Sequence, residues 1–308
     1  MNTPVSADQQ AEIDALRDTP QPTLRAVSPG MEAHLYTAHP VLDHGFVRVV
    51  DYMGDDAAIC QAARVSYGRG TKSVQNDEGL IRYLMRHWHS TPFEMCEAKF
   101  HVKLPVFVAR QWIRHRTANV NEYSARYSIL DREFYIPQPE QLAAQSKQNN
   151  QGRGEVLEGE EAQRVLSLLR EDAMRSYDHY EAMLSQAQPD GTPQQGLARE
   201  LARMNLPANI YTQWYWKVDL HNLLHFLRLR DDPHAQYEIR AYADAMCAIV
   251  ADWVPAAFGA FRDYRMEAVS LSAQAAAVLR RRLKGEVVTQ EESGISAREW
   301  REFEGDWG

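Results

Sequence analysis

The stretch that most constrains this chain is Arg110 to Ser128, RQWIRHRTANVNEYSARYS. Arg110, Arg114, His115, Arg116 and Arg126 stand there beside Asn119, Asn121, Glu122, Ser124 and Ser128. Few folds hold so many hydrogen-bonding groups together without a ligand to satisfy them. The planar fork of arginine matches phosphate and carboxylate, so the ligand is read as an anion. The upstream flank PVFVARQWI is apolar enough for a buried helix, and a buried arginine needs a partner. The plainer alternative is a solvated basic surface, or arginines paired with acids elsewhere.

The run divides in two. Pro105 suits a first helical turn, and Val106, Ala109 and Ile113 recur at helical spacing, which predicts a helix over Val106–His115. Arg110, Gln111, Arg114 and His115 then share one side. From Glu122 to Ser128 the period is two, predicting a strand-like segment. Glu122, Ser124, Arg126 and Ser128 point one way there, and Tyr123, Ala125 and Tyr127 the other.

Arg114-His115-Arg116, then seven residues, then Ser124, resembles the signature of the flavin-dependent thymidylate synthases. The extension Asn121-Glu122-x-Ser124-x-Arg126-Tyr127-Ser128 resembles it too, and the likeness runs roughly from residue 45 to 265. It implies an α+β fold, an antiparallel-type sheet packed with long helices in a single catalytic domain. It also implies synthesis of dTMP from dUMP, with methylenetetrahydrofolate giving the one-carbon unit. FAD, reduced by NADPH, gives the hydride, and the assembly is a homotetramer with active sites between subunits.

The same resemblance assigns residues. Ser66, His89, Thr91, Arg114, His115, Arg116, Glu122, Asp219, His221 and His225 are implied flavin contacts. Gln111, Arg114, Glu122, Ser124, Ala125, Arg126, Arg203 and Arg230 are implied dUMP contacts, with Arg126 and Arg203 on the phosphate. Arg230 is the implied catalytic group, stabilising the pyrimidine anion that forms as N3 loses its proton. Many members carry serine where Asn119 stands, and glycine where Ala125 stands. No cysteine lies in these motifs, so no protein thiolate adds to the substrate.

The rest of the chain reads as an arm over 1–44, a catalytic domain over 45–266 and a tail over 267–308. Within the domain, GFVRVVDY predicts a strand from Gly45 to Tyr52. Asp55 or Asp56 caps the helix that follows. Gly68–Asp77 reads as a loop, Glu78–Trp88 as a helix, and Ser90-Thr91-Pro92 as a helix start. Cys96–Leu104 alternates, with Glu97, Lys99, His101 and Lys103 on a half-exposed side. Residues 145–161 are almost without apolar groups and read as a flexible insertion. Residues 162–186 predict a helix with Val165, Leu168, Leu169, Tyr177 and Tyr180 toward the core, and Gln188–Gln194 a turn. NIYTQWYWKV is β-prone, and a helix with His221 and His225 one turn apart follows, then a second long helix.

A net charge of −8 over 308 residues argues against a nucleic-acid binder, and no apolar run reaches membrane-spanning length. The polar N-terminus and the unspaced Cys60, Cys96 and Cys247 point to the cytoplasm. Two further readings compete. His221 and His225, completed by Asp219 or His234, have the spacing of a zinc hydrolase site, although Asn222 stands where HExxH has its glutamate. The arginines with Tyr123, Tyr127 and Trp112 resemble a stacking surface for RNA.

Overall fold

The computed structural model describes residues 6–65, 77–145, 153–184 and 195–307. The chain divides into two compact units, Met1–Phe261 and Arg262–Gly308. The first opens with helices α1 (Ala7–Arg17) and α2 (Pro29–His34) and strands β1 (Ala38–Val41) and β2 (Gly45–Met53). Helices α3 (Asp56–Val65), α4 (Asp77–Arg86) and α5 (Thr91–Glu94) follow, then β3 (Glu97–Pro105), α6 (Val106–Trp112) and β4 (Asn119–Glu122). A hairpin of β5 (Ala143–Gln145) and β6 (Arg153–Val156) leads into α7 (Gly159–Met183) and the short α8 (Arg199–Ala202). The unit ends with β7 (Tyr211–Asp219), α9 (Leu220–Arg230), α10 (Tyr237–Trp253) and α11 (Pro255–Phe261). The second unit holds α12 (Ala273–Arg282), α13 (Gln290–Ser293) and α14 (Ala297–Trp307). Its core is Ala275, Val278, Val288, Ile295 and Phe303.

The first unit is built on one antiparallel sheet in the order β1-β2-β3-β7-β4. Strands β3 and β7 face each other with Phe100 opposite Trp216 and Val102 opposite Trp214, so their apolar residues fall on one face. Helices α6, α9 and α10 bring their apolar sides to the aromatic core. Trp112 is its centre: its ring lies 5.6 Å from Trp214, 5.3 Å from Trp216, 4.6 Å from Phe226 and 5.9 Å from Tyr242. The other face is polar. Arg48 donates to His101 Nδ1 at 2.8 Å, and His101 Nε2 donates to Gln213 at 2.9 Å.

Several expectations are corrected. The helix after Pro105 stops at Trp112 instead of His115, and its buried side is Val108, Ala109 and Trp112, with Ile113 exposed. A two-turn helix takes its inner face from what it docks on, here the tryptophans of β7. Lys103 is buried and ion-paired with Glu133 instead of half-exposed. The stretch before residue 45 is not all arm: Met31 is fully buried, α2 packs on α10, and β1 pairs with β2. The segment read as a flexible insertion contains β6, whose Arg153 binds the buried Glu238 through both carboxylate oxygens at 2.6 Å. In α7, Tyr177 and Tyr180 are buried as predicted but Leu168 and Leu169 are exposed, because Ala162 and Leu166 pack beside Leu142. Asp55 caps α3 through Ala58 N, while Asp56 accepts from Ala256 N and Ala257 N at the start of α11. Ser90 precedes α5 as expected, without a side-chain cap. The predicted loop from Gly68 and turn from Gln188 lie outside the described residues, apart from Asp77, which begins α4. Among the described residues no helix is long and apolar enough to cross a membrane.

Candidate active site

Strand β4 forms the edge of the sheet, with Glu122 opposite Trp214. Every residue of β4 is exposed. The chain then turns sharply instead of continuing as the predicted strand. The amide of Arg126 bonds Ser124 Oγ at 3.3 Å, and Tyr127 N and Ser128 N both bond Ser124 O. This turn places Ser124 and Ala125 on the wall of a cavity of about 500 Å³. Glu122 lines it from the end of the strand, Tyr123 from just after it, and Arg203 with Pro207 from the segment after α8. Val106, Leu130, Leu206 and Ile210 supply an apolar side. Thus Glu122, Ser124, Ala125 and Arg203, four of the predicted nucleotide residues, meet at one cavity.

Arg126 points from the same turn and pairs with Glu200 of α8 at 3.4 Å, both side chains about half exposed. Arg199 donates to the carbonyl of Tyr127 at 2.6 Å and holds the turn closed. Among the described residues Arg110, Arg114, Arg116 and Arg203 form no ion pair. These arginines are exposed, not buried as the apolar flank implied. Helix α6 buries Trp112 and turns its charges outward.

Further predicted residues lie on α6, just after it and on α9. Gln111 is half-buried, and its Oε1 is buried without a hydrogen-bond partner. The His115 ring lies 5.8 Å from that of His225 and 5.6 Å from Phe226. Burial, then the neighbouring His225 and Arg230, press His115 down to about 4, so the imidazole is neutral near pH 7. Arg230, the last residue of α9, has a buried Nε with no partner, and burial lowers it from its ordinary value. A buried donor or acceptor left unmatched is costly in a closed protein, and a polar partner removes that cost at each.

The other predicted residues are spread out. Asp219 caps α9, accepting from Asn222 N at 2.9 Å and Asn222 Nδ2 at 2.7 Å. His221 is half-buried and His225 exposed on the same helix. His89 and Thr91 are exposed at the start of α5, which packs against α9. Ser66 lies outside the described residues. The zinc reading loses its completing ligands. Both Asp219 oxygens are engaged, and His234 is turned outward onto Asp232. Among the described residues no three His, Cys, Asp or Glu are placed to hold a metal ion. The sequence motifs do not single out Thr212 or Arg199. Thr212 carried one signal, a hydroxyl in phase with the inward Trp214 and Trp216.

Residues 48–256 match the family model described as thymidylate synthase complementing protein. The chain is 78% identical over 301 residues, 98% of both chains, to a flavin-dependent thymidylate synthase of Ruegeria pomeroyi. It is 64% identical over 299 residues, 97% of both chains, to one of Gluconobacter oxydans. Among solved structures it resembles a UMP/dUMP methylase, PolB, of Streptomyces cacaoi bound with 5-bromo-UMP. The TM-score is 0.63 and the identity 32%, covering 72% of this chain and 95% of the other.

Proposed function

The chain belongs to the thymidylate synthase complementing family, and we propose that it makes dTMP from dUMP by reductive methylation, with FAD as its flavin. The names of its relatives support the reaction, and the brominated pyrimidine nucleotide of the solved neighbour supports the ligand class. One observation carries the reading to this chain's own residues. Segments far apart in sequence deliver Glu122, Ser124, Ala125 and Arg203 to one cavity, with Arg126 at its turn.

Each side chain has work there. Arg126 and Arg203 take the phosphate dianion, with Ser124 and the backbone at Ala125 donating beside them. Glu122 accepts from the sugar or base, and the Gln111 amide both accepts and donates. Arg114, His115, Arg116, His89, Thr91, Asp219, His221 and His225 hold the flavin, together with Ser66. The orphaned Gln111 Oε1 and Arg230 Nε fit this assignment, since each awaits a polar partner. A bound flavin supplies the hydride, and the protein binds, aligns and polarises. Arg230 holds its positive charge at all working pH values. Half-buried, it stabilises the negative charge that builds on the pyrimidine more strongly than it would in water.

Methylenetetrahydrofolate is the one-carbon donor and NADPH the reductant in this reading. The assembly is a homotetramer. The exposed β4 edge, with Val120, Tyr123, Tyr127 and Ile129 on or beside it, supports a neighbouring copy covering the site. A cytoplasmic location fits these metabolites. The test is the visible spectrum of the purified protein. A yellow protein, bleached by NADPH and forming dTMP once dUMP and methylenetetrahydrofolate are added, is the expected result. A colourless protein that FAD does not activate overturns it.

A further inference from the structure

We infer that Thr212 is a positioning residue that fixes the carboxylate of Glu122 for the nucleotide. Its hydroxyl donates to Glu122 Oε1 at 2.9 Å, and both residues line the same cavity. The inference rests on the reading of that cavity as the nucleotide site.

The two residues differ sharply in setting. Thr212 is among the few buried polar residues, 3% exposed, on the interior strand β7 between β3 and β4. Leu104 of β3 lies opposite it, and Trp214 follows on the same inward face. Branching at Cβ restricts its χ1, and the packed strand fixes it further. Glu122 is the last residue of an edge strand whose four positions are all exposed. A glutamate there has free rotamers and a solvated carboxylate, a poor element for recognising one donor in one place. The bond from Thr212 removes that freedom from the rigid side. A carboxylate is acceptor-only with about four lone-pair positions, so a hydrogen bond at Oε1 leaves Oε2 for a ligand N–H or O–H. The apolar residues at positions 210, 214 and 216 make the hydroxyl at 212 the exception on that face. A core threonine is otherwise replaceable by valine.

The test uses the full-length flavoprotein. Thr212→Val keeps volume and branching and removes the donor, while Thr212→Ser keeps the donor. We expect Thr212→Val to weaken dUMP binding, measured by calorimetry, by about tenfold, the scale of one hydrogen bond to a charged group. Thr212→Ser should recover to within about threefold of the parent. Flavin content and unfolding midpoint should stay unchanged in both. In a Glu122→Ala background, which leaves the hydroxyl no acceptor at that position, the Thr212→Val change should add less than about twofold, since the two act through one bond. Equal losses in both backgrounds, or parental dUMP affinity in Thr212→Val, overturn the inference. A parent protein that binds no dUMP overturns instead the nucleotide reading of the cavity, so the two failures are distinguishable.

Discussion

Trp112 and Phe226 stack with ring centroids 4.6 Å apart and planes inclined by 29°. The contact ties α6, which carries Gln111, to α9, which ends at Arg230. Both rings are fully buried, and Trp112 also meets Trp214, Trp216 and Tyr242. Trp112→Ala is therefore expected to cost about 3–5 kcal/mol of stability, through lost burial and an uncollapsed cavity. Urea unfolding measures this. A loss under about 1 kcal/mol would mean that the tryptophan is not the joint between the two helices.

Arg230 and Arg126 should fail in different ways. Arg230 is half-buried at the end of α9, and Arg126 is half exposed at the cavity turn. Arg230→Ala is expected to keep its flavin and its dUMP affinity to within a few-fold, while the rate of dTMP formation falls by 100-fold or more, on the order of one lost electrostatic donor. Arg126→Ala should instead weaken dUMP binding about tenfold or more by loss of a charge-assisted contact. Normal turnover in the first variant, or an unchanged dUMP dissociation constant in the second, contradicts the assignment.

Two histidines give the protein a definite response to acid. Burial, aided by Arg48, presses His101 down to about 4, and burial with His225 and Arg230 does the same to His115. The unfolded chain takes up protons near pH 6.5, while the folded one resists until about pH 4. Their contribution is thus complete above pH 6.5 and is lost as pH falls toward 4. His101→Gln should flatten the decline of the urea midpoint between pH 6.5 and 5. A parallel decline in parent and variant would show that the folded imidazole titrates normally.

The parts of the fold with a clear period were legible in the sequence. Alternation over β3 and the aromatic run of β7 marked the two central strands, and α9 and α10 were marked by their apolar spacing. Short elements were not. Glu122–Ser128 has a period of two, yet the Ser124 hydroxyl captures the Arg126 amide and starts a turn, a local competition that a period does not register. Likewise α6 is too brief for spacing to select its inner face, which β7 decides. The arginine motif located the cavity, but Thr212 and Arg199 matter only through neighbours brought close by folding.

Asp231, next to Arg230, acts in the opposite sense to the histidines. Burial and a hydrogen-bonded neighbouring carboxyl, Asp244, raise it to about 7, with Cys247 3.8 Å away and Arg240 opposing weakly. The folded state holds a proton there that the unfolded carboxyl releases near pH 4. This contribution grows as pH falls from 7 toward 4 and is absent above 7. Asp231→Asn keeps the shape and a donor for Asp244 without a second charge. It should raise the unfolding midpoint at pH 8 and leave it near the parent value at pH 5. A drop at pH 8 would mean that the folded state does not disfavour a charge on Asp231.

Trp88 ends α4 in an unusual conformation. His89 N bonds Leu84 O at 3.0 Å and Trp88 N bonds Met85 O at 3.3 Å, the pair of bonds that closes a helix on a left-handed residue. That residue is normally glycine, yet Trp88 occupies it at φ 62° and is 68% exposed. A Cβ in this region costs about 1 kcal/mol. Trp88→Gly and Trp88→Ala both remove the indole, and only alanine keeps the Cβ. The glycine variant is therefore expected to melt about 2–4 °C above the alanine variant, reduced somewhat by its freer unfolded chain. Calorimetry on both variants decides: equal melting temperatures would mean that the backbone at residue 88 carries no strain.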